Sequence, residues 1–304
     1  MIATIKHIVR DTLFWVLAKV SPRALVKAKY YYTFRKRLNF DCPQNINEKI
    51  NWMKFHADTS RWVDLADKYK VREFVKEKGL EDILVPLYGK WDAVEQIDWE
   101  ALPAQFVMKT NHGSGDVYIC HDKTQLDVAS CSRYFKKQLR RKQSDFNAER
   151  HYDKIVPCII AEQLLDSRKQ AVSSTSLIDY KIWTFNGVPA YIIVCMNRTE
   201  HTCEFGVFDT EWNYHPEFTL QTEHALPLSQ VLPSPSTLPR MLDVAARLSE
   251  GFSQVRIDLY EVEGKLYFGE MTFTAASGLM NHYSDEFLQI LGDKCVFIPQ
   301  EILS

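Results

Sequence analysis

One loop in the chain combines a lysine, two glycines and polar side chains in an order that suits phosphate binding. Lys109 ends an apolar run, and the loop continues through Asn111, His112, Gly113, Ser114 and Gly115. Glycines let the backbone approach an anion closely, successive N–H groups in such a turn bind anions, and the lysine adds a point charge. The spacing matches neither common phosphate-loop pattern, so an ordinary tight hairpin turn is the alternative.

Two acidic residues near the C-terminus could supply oxygen ligands to a metal ion. Asp258 lies in one alternating run, and Glu270 and Thr272 lie in the next. Two carboxylates and a hydroxyl on one sheet face form a hard oxygen site, which suits magnesium bridged to phosphates. The alternative is a surface hairpin in which Arg256 faces Glu270 as a simple cross-strand pair.

The register of this hairpin decides whether the two carboxylates meet. A two-residue loop at Glu263–Gly264 would place Asp258 and Glu270 on opposite faces of the sheet. A three-residue loop would place them diagonally on the same face. We expect the three-residue loop, because it sets Glu261 opposite Lys265 as a favourable charge pair.

Strands and helices are predicted on both sides of these candidate sites. Apolar runs predict strands, and an Asn-Gly pair at 186–187 predicts a hairpin turn. The predicted strands are Ile83–Leu87, Ala104–Thr110, Ile155–Leu165, Leu177–Phe185, Pro189–Met196 and the hairpin Val255–Thr272. Helical periodicity and capping residues predict helices at Pro43–Phe55, Arg61–Lys78, Lys123–Lys142 and from Pro239 onward. The chain is therefore expected to be α+β.

The composition is that of an ordinary globular protein. The chain has 304 residues, of which 46% are hydrophobic and 25% charged. Its net charge of -2 provides no general attraction to nucleic acid, so no nucleic-acid partner is expected. The seven cysteines are scattered and form no CxxC, which favours a reducing compartment over a disulfide framework or a zinc site. We therefore expect a cytoplasmic protein.

The first 38 residues form a basic, aromatic-rich extension. Residues 1–40 contain nine Lys/Arg and one acid, Asp11, with aromatic residues interleaved among the basic ones. The longest uncharged stretch, Thr12 to Ala18, is too short to span a bilayer. Basic and aromatic residues at helical spacing suit the surface of an anionic membrane. A solvated helix docked on the body of the protein is the alternative interpretation.

In combination, these motifs resemble the TupA-like family of the ATP-grasp superfamily, which is named for teichuronopeptide synthesis. Five stretches in order carry the resemblance over roughly residues 38–280, whereas any one of them alone would not. The stretches are Asn47–Trp52, Leu65–Arg72, Phe106–Gly115, Asp179–Lys181 with Phe185–Gly187, and Val255–Gly278. A further match is the run Ile160–Leu165.

The resemblance implies an ATP site built from several of these stretches. Lys68 and Lys109 would hold the α- and β-phosphates, and the loop from Asn111 to Gly115 would cover the γ-phosphate. Glu162, Gln163 and Leu165 would line the adenine. Asp179 would meet the ribose.

The resemblance also implies a magnesium site and a catalytic pair. Asp258, Glu270 and Thr272 would bind Mg²⁺, and Lys181 would contact the phosphates or the substrate. Arg256 would stabilise the oxyanion that forms when an amine attacks an acyl phosphate.

Two positions depart from the superfamily pattern. Most ATP-grasp enzymes have Asn where this chain has Thr272, although TupA-like sequences commonly have Thr, so a second metal ion would be held more weakly or through water. Relatives tend to have an aromatic residue where this chain has Asp116. We therefore expect this acid, which lies beside a phosphate loop, to disfavour the closed geometry of that loop.

The fold implied is an ATP-grasp fold, in which two α+β subdomains sandwich the nucleotide. Its expected parts are the extension 1–38, a helical α+β region 39–105, a small subdomain 106–165 with the Gly-rich loop, and a C-terminal subdomain 166–304 with the metal site. The function implied is an ATP- and Mg²⁺-dependent carboxylate–amine ligase acting on a glycan- or lipid-linked uronic acid or amino acid. A glycosyltransferase, a phosphotransferase on the same scaffold and a non-catalytic nucleotide-binding protein are the alternatives.

Overall fold

The computed structural model describes residues 2–113, 115–142 and 147–303, with side chains in the first helix from residue 9 onward. Ser114, which was predicted to belong to the phosphate loop, lies outside the described residues. The α-helices of the described part are α1 Ile2–Val20, α2 Pro22–Phe34, α3 Ile46–His56, α4 Ser60–Ala66, α5 Val71–Glu77, α6 Val128–Gln138, α7 Leu238–Ser249 and α8 Asp285–Lys294.

The strands form two separate sheets. They are β1 Leu87–Trp91, β2 Phe106–Thr110, β3 Val117–Cys120, β4 Ile159–Glu162, β5 Asp179–Phe185, β6 Val188–Met196, β7 Cys203–Asp209, β8 Ala225–Pro227, β9 Val255–Val262 and β10 Lys265–Thr272. The smaller sheet has the order β1-β4-β2-β3, and the larger has the order β10-β9-β5-β6-β7-β8. Neighbouring strands are antiparallel except β7 and β8, which are parallel. The α+β prediction is confirmed.

The larger sheet is covered on both faces by helices. On one face, α7 packs its apolar stripe of Met241, Val244, Ala245 and Leu248 into the main core, and these four side chains are fully buried. Their i, i+3, i+4, i+7 spacing is that of one helix face, and the helix predicted from Pro239 onward is confirmed. On the other face, α3 and α8 contribute to a second core that also contains Trp183. The edge of this second face near β9 and β10 carries the polar residues of the candidate site.

The helix predicted from Arg61 to Lys78 is interrupted. It forms two short helices, α4 and α5, with a break at residues 67–70. The buried Asp67 carboxylate causes the break by accepting hydrogen bonds from the backbone N–H groups of Tyr69 and Lys70, at 2.8 and 3.2 Å. A short acid that bonds the backbone in this way competes with helical pairing. The prediction of one continuous helix was wrong, and the break carries Lys68.

The N-terminal helices differ in how they contact the body. Val26 and Tyr30 of α2 are buried with Leu38 in a small core. By contrast, α1 leaves an apolar stripe in solvent. The stripe consists of Val9, Leu13, Val16 and Val20, each at least 43% exposed. No helix among the described residues combines the length and the apolar character that crossing a membrane requires.

The cysteines of the chain are all free thiols. Six of the seven are buried, and Cys42, in the connection between α2 and α3, is exposed.

Candidate active site

A β-bulge in the β9–β10 hairpin sets the position of the two candidate metal carboxylates. The turn is the two-residue form, with Glu263 and Gly264 both at positive φ (54° and 68°), and it pairs Val262 with Lys265. The register then shifts between Phe268 and Glu270, which leaves Glu270 directly opposite Asp258. The three-residue turn predicted from the sequence was wrong. The bulge nevertheless brings the two carboxylates to one face, because directly paired residues point to the same side.

Gly269 allows the bulge because it lacks a side chain. A Cβ at this position would lie 2.8 Å from the carbonyl oxygen of Asp258 and 3.0 Å from the ring of Tyr260. The shift also changes the partner of Arg256, which lies opposite Thr272 and not opposite Glu270 as expected. The guanidinium still reaches Glu270 at 3.9 Å.

Asp258 is a buried carboxylate that two cations neutralise. Its side chain is 1% exposed and accepts hydrogen bonds from Arg256 at 2.7 and 2.8 Å and from Lys181 at 2.5 Å. Burial alone would raise the pKa of this carboxyl, but the charges of Arg256 and Lys181 hold it below its ordinary value. Asp258 is therefore ionised and fixed before any ligand arrives.

A second carboxylate, Asp179, continues this ion network along β5. It lies 3.3 Å from the Lys181 ammonium and 2.9 Å from the Arg198 guanidinium. Burial lowers the pKa of Lys181, but Asp179 and Asp258 together more than offset this and raise it. Arg198 was not predicted from the sequence, because it lies in the β6–β7 connection and only the fold brings it to Asp179.

Glu270 and Thr272 complete the oxygen cluster. The Thr272 hydroxyl donates to Glu270 at 3.2 Å and accepts from Arg256 at 3.3 Å. The Glu270 side chain is 43% exposed, so one carboxylate faces solvent beside the buried one. No three His, Cys, Asp or Glu side chains within the described ranges come together as a metal site. The oxygen donors suit Mg²⁺ only if phosphate and water supply the remaining ligands, which is the usual arrangement for this ion.

A second ion cluster lies on the smaller sheet around Glu162. Lys109 of β2 contacts one carboxylate oxygen of Glu162 at 2.6 Å, and Arg72 of α5 contacts the other at 3.1 Å. These three side chains are 9–19% exposed. Arg72 also donates to the carbonyl of Val85 at 2.9 Å. Arg72 lies within one of the stretches that carry the family resemblance, but it was not predicted as a site residue because its partner lies 90 residues away.

Lys68 is joined to the Gly-rich loop. Its ammonium donates to the carbonyl of Gly113, and its backbone N–H donates to the carbonyl of Asn111 at 3.1 Å. The Asn111 amide bonds to the segment before β4, donating to the carbonyl of Val156 at 3.0 Å and accepting from the N–H of Cys158 at 2.7 Å. Asn111 thus anchors the base of the loop.

Two buried ionisable side chains belong to this part of the chain, His112 within the loop and Asp116 directly after it. The ring of His112 is buried, and burial lowers its pKa, while the nearby charge of Asp116 opposes this. Asp116 is 3% exposed, and neither of its carboxylate oxygens has a hydrogen-bond partner among the described residues. Its side chain occupies the space beside Gly113, where a Cβ would lie 2.9 Å from a carboxylate oxygen. The predicted loop glycine Gly115 has a positive φ of 78°.

The segment that follows β4 lies where the two sheets meet. The Gln163 N–H donates to the carbonyl of Pro86 at 2.9 Å. Leu165 is buried in a small cluster with Val85 and with Val262 of β9. The predicted adenine-lining residues therefore occupy the junction between the sheets.

The predicted site residues thus fall into two groups. Asp179, Lys181, Arg256, Asp258, Glu270 and Thr272 lie on one face of the larger sheet, whereas Lys68, Lys109, Asn111, His112, Gly113 and Glu162 lie on or beside the smaller one. In the described part of the chain, no hydrogen bond or ion pair links members of one group to the other. Each group carries cations and carboxylates, as a site for a charged ligand held between two sheets would.

Solved structures that are similar to this chain include a synthetase and a ligase. D-alanyl-alanine synthetase A from Vibrio cholerae O1 biovar eltor str. N16961 is 12% identical, with a TM-score of 0.46, covering 84% of this chain and 75% of that one. D-alanine–D-alanine ligase from Bacillus anthracis is 15% identical, with a TM-score of 0.43 and coverages of 79% and 70%. The same Bacillus anthracis ligase complexed with ATP is 13% identical, with a TM-score of 0.39 and coverages of 78% and 70%. No curated protein sequence matches this chain.

A match to a family model identifies the family of this chain. Residues 48–296 match the model of the TupA-like ATP-grasp family, which is most of the chain and includes every predicted site residue. The chain therefore belongs to the TupA-like ATP-grasp family and has an ATP-grasp fold.

Proposed function

We propose that this protein is an ATP-dependent ligase that joins a carboxylate to an amine through an acyl phosphate. A carboxylate oxygen attacks the γ-phosphorus of ATP, and ADP leaves. The amine nitrogen then attacks the acyl carbon, phosphate leaves, and the nitrogen loses a proton to give an amide. The observation that carries the proposal is the pairing of Asp258 with Glu270 beside Arg256 and Lys181, in a chain of the TupA-like family.

The nucleotide is proposed to bind between the two groups of residues. Lys68 and Lys109 would contact the α- and β-phosphates, and the loop anchored by Asn111 would cover the γ-phosphate. The segment Glu162–Leu165 would line the adenine, which fits its place at the junction of the sheets. Asp179 would meet the ribose. Lysines beside backbone N–H groups are a common arrangement around phosphate.

Magnesium is proposed to bind at Glu270 and Asp258, with the Thr272 hydroxyl nearby. When bound, the ion would neutralise charge on the phosphates and polarise the transferred phosphoryl group. Glu270 already faces solvent, so it offers an oxygen without rearrangement. Asp258 is engaged by Arg256 and Lys181 and would share its oxygens with them.

Arg256 is proposed to act on the oxyanion that develops during amine attack. Three contacts, to Asp258 and Thr272, hold its guanidinium in place. Donors held in position before the reaction stabilise developing charge without reorganisation, and this is often the largest catalytic effect. Lys181 would contact the phosphates or the acid substrate from the same face.

The substrates are proposed to belong to surface-polysaccharide synthesis, with a uronic acid or amino acid on a glycan or its lipid-linked precursor. The protein would work in the cytoplasm, against the inner face of the membrane. The exposed stripe Val9, Leu13, Val16 and Val20 on α1 supports membrane contact, because it is apolar and the surrounding segment is basic. The aromatic Trp15 is also exposed, at 62%.

The test is to incubate the protein with ATP, Mg²⁺, a uronic acid and an amino acid, and to measure ADP and amide. ADP release that requires both acid and amine, together with an amide product, is the expected result. ADP release with an alcohol alone would instead identify a phosphotransferase. Product formation from a nucleotide sugar without ATP would identify a glycosyltransferase. Nucleotide binding without turnover of any of these substrates would identify a non-catalytic nucleotide-binding protein.

A further inference from the structure

A cavity of about 440 Å³ lies beside the candidate site. Its walls come from the β6–β7 connection, the segment before β8 and the segment after the β9–β10 hairpin. Cavities of this size hold small organic ligands. None of the residues assigned above to ATP or magnesium lines it.

Strand register places the cavity on the same sheet face as the metal carboxylates. Asp179 of β5 pairs with Cys195 of β6, which pairs with Phe205 of β7 in the cavity wall. Directly paired residues point to one side, and neighbouring strands are about 4.8 Å apart. Phe205 therefore lies roughly 10 Å from Asp179 across the same face. A substrate of that length would reach from the cavity to the ion network.

Arg198 connects the cavity to this network. One of its nitrogens contacts Asp179 at 2.9 Å, which fixes the orientation of the guanidinium. The side chain is half exposed, and the described residues give its remaining side-chain nitrogens no hydrogen-bond partner. A guanidinium that is bound to a carboxylate through one nitrogen can still donate from its other nitrogens, so it suits a second anion such as a carboxylate or a phosphate.

The rest of the wall provides neutral hydrogen-bonding groups. Thr202, Thr222 and Asn281 contribute hydroxyl and amide groups. His282 stacks on Phe205, with ring centroids 5.0 Å apart. Burial, together with the positive charge of Arg256, lowers the pKa of His282 to about 4, so the ring is neutral at pH 7 and can both donate and accept a hydrogen bond.

We infer that this cavity binds the acid substrate, and that the substrate is a polyhydroxylated carboxylate such as a sugar acid, with Arg198 as its anion contact. The inference rests on the proposed ligase function, because it assigns one of the two substrates of that reaction. Neutral hydroxyl, amide and imidazole groups match sugar hydroxyls, and the Phe205–His282 surface offers an apolar face for a sugar ring.

An amino acid fits the cavity less well. Its ammonium group would need a buried acid, and the acidic residues of the lining, Glu200 and Glu223, are exposed at the rim. Solvent weakens the interaction of exposed charges. Because these two acids are at the rim, the Arg198 guanidinium and the neutral hydroxyl, amide and imidazole groups of the wall favour a ligand with negative charge and hydroxyl groups.

The test is saturation-transfer NMR with glucuronate, glucose and alanine as probes of the full chain. We expect glucuronate to bind, while glucose, which lacks the carboxylate, and alanine, which lacks the hydroxyls, bind much more weakly. Arg198→Lys keeps a charge beside Asp179 but loses the fork, so the glucuronate Kd should rise about tenfold or more. His282→Leu should also raise it, independently of the ion network. The matched control is Arg240→Lys, a partly exposed arginine of α7 paired with Asp243.

Three results would overturn the inference: no glucuronate binding, unchanged affinity in both cavity variants, or alanine binding in preference to glucuronate. Binding of a non-hydrolysable ATP analogue, measured on the same samples, separates the two proposals. Nucleotide binding without glucuronate binding removes the cavity assignment and leaves the ligase. Glucuronate binding that depends on Arg198, without nucleotide binding, removes the ligase and leaves the cavity.

Discussion

The Lys181 ammonium lies between two carboxylates, 2.5 Å from Asp258 and 3.3 Å from Asp179. Arg256 contacts Asp258 from the other side. The charged side chains on this face of β5 and β9 therefore contact one another and are nearly excluded from water. Breaking a buried pair leaves an uncompensated charge, which is costly. This arrangement makes the site sensitive to changes of charge at each of these positions.

Asp258→Asn should lower the free energy of unfolding at pH 7 by about 3–5 kcal/mol, because it leaves Lys181 and Arg256 without their carboxylate. The fold depresses the pKa of Asp258, so its stabilising contribution is present above the ordinary value of 3.8 and is lost as pH falls through the folded value. Urea unfolding of both proteins should therefore show a gap at pH 7 that narrows below pH 3.8. A gap that stays constant with pH would contradict this account.

Gly269→Ala should destabilise the hairpin by about 1–3 kcal/mol, because the new Cβ would meet the Asp258 carbonyl at 2.8 Å. Relieving that contact displaces Glu270 from Asp258, so Mg²⁺-dependent nucleotide binding should weaken as well. Calorimetric titration with and without Mg²⁺ measures this. The control is Gly264→Asn in the turn of the same hairpin, where asparagine tolerates positive φ and the nearest atom to a Cβ is 3.7 Å away. Equal losses in both variants would show that the bulge has no special role.

Lys109→Ala should weaken ATP binding by about ten- to a hundredfold, because a charge-assisted contact to phosphate contributes roughly 1.5–3 kcal/mol. Lys90→Ala is the matched control, since Lys90 lies on the same sheet and is paired with Asp92 at its edge. Calorimetric titration with a non-hydrolysable analogue measures both. Unchanged affinity in Lys109→Ala would remove this lysine from the nucleotide site.

Arg256→Lys should lower kcat while leaving the affinity for ATP nearly intact. The lysine keeps a positive charge beside Asp258 but cannot reproduce the three guanidinium contacts to Asp258 and Thr272. An interaction made mainly in the transition state appears in turnover and not in ground-state binding. A loss of ATP affinity as large as the loss of turnover would place Arg256 in nucleotide binding instead.

Deleting residues 1–20 should abolish sedimentation with anionic vesicles and leave the fold and ATP binding intact. The apolar stripe of α1 faces solvent, whereas Val26 and Tyr30 of α2 are buried, so removing α2 as well should destabilise the protein. Binding of the full chain should decline with salt, since each basic residue near the surface contributes about 1 kcal/mol within a Debye length of roughly 8 Å. No sedimentation of the full chain at low salt would end the membrane proposal.

The sequence predicts that Asp258 and Glu270 share a face of the β9–β10 hairpin, but it does not predict the register of the hairpin. The expected pairing of Glu261 with Lys265 fails because Glu261 has other partners. Its carboxylate accepts from the Ser236 hydroxyl at 3.0 Å and from the Thr237 N–H at 2.9 Å, just before α7. Such long-range contacts are invisible in a local charge pattern. Gly269 is the signal that was available, because a glycine inside a strand often marks a bulge.

Elements with strong local signals are predicted well, and elements fixed by tertiary contacts are not. The hairpin at Asn186–Gly187 is confirmed, and the capping residue Asn45 accepts from the Glu48 N–H at 3.0 Å as expected for α3. By contrast, α8 and the strands β3, β7 and β8 were not predicted. The strand predicted at Ile83–Leu87 was misplaced, because β1 begins only at Leu87. Arg72 and Arg198 were missed for the same reason, since each acquires a role only when the fold brings it to a distant carboxylate.

One of the seven cysteine thiols is exposed, so it is accessible to a chemical label. All seven cysteines lie in the described part, and Cys42 alone among them is exposed. Alkylation requires an accessible thiolate, so a maleimide dye should react first at this position in the native protein. The dye would sit between α2 and α3, where the basic extension joins the body. Fluorescence from wild-type protein labelled there would report the approach of the extension to a vesicle without any substitution.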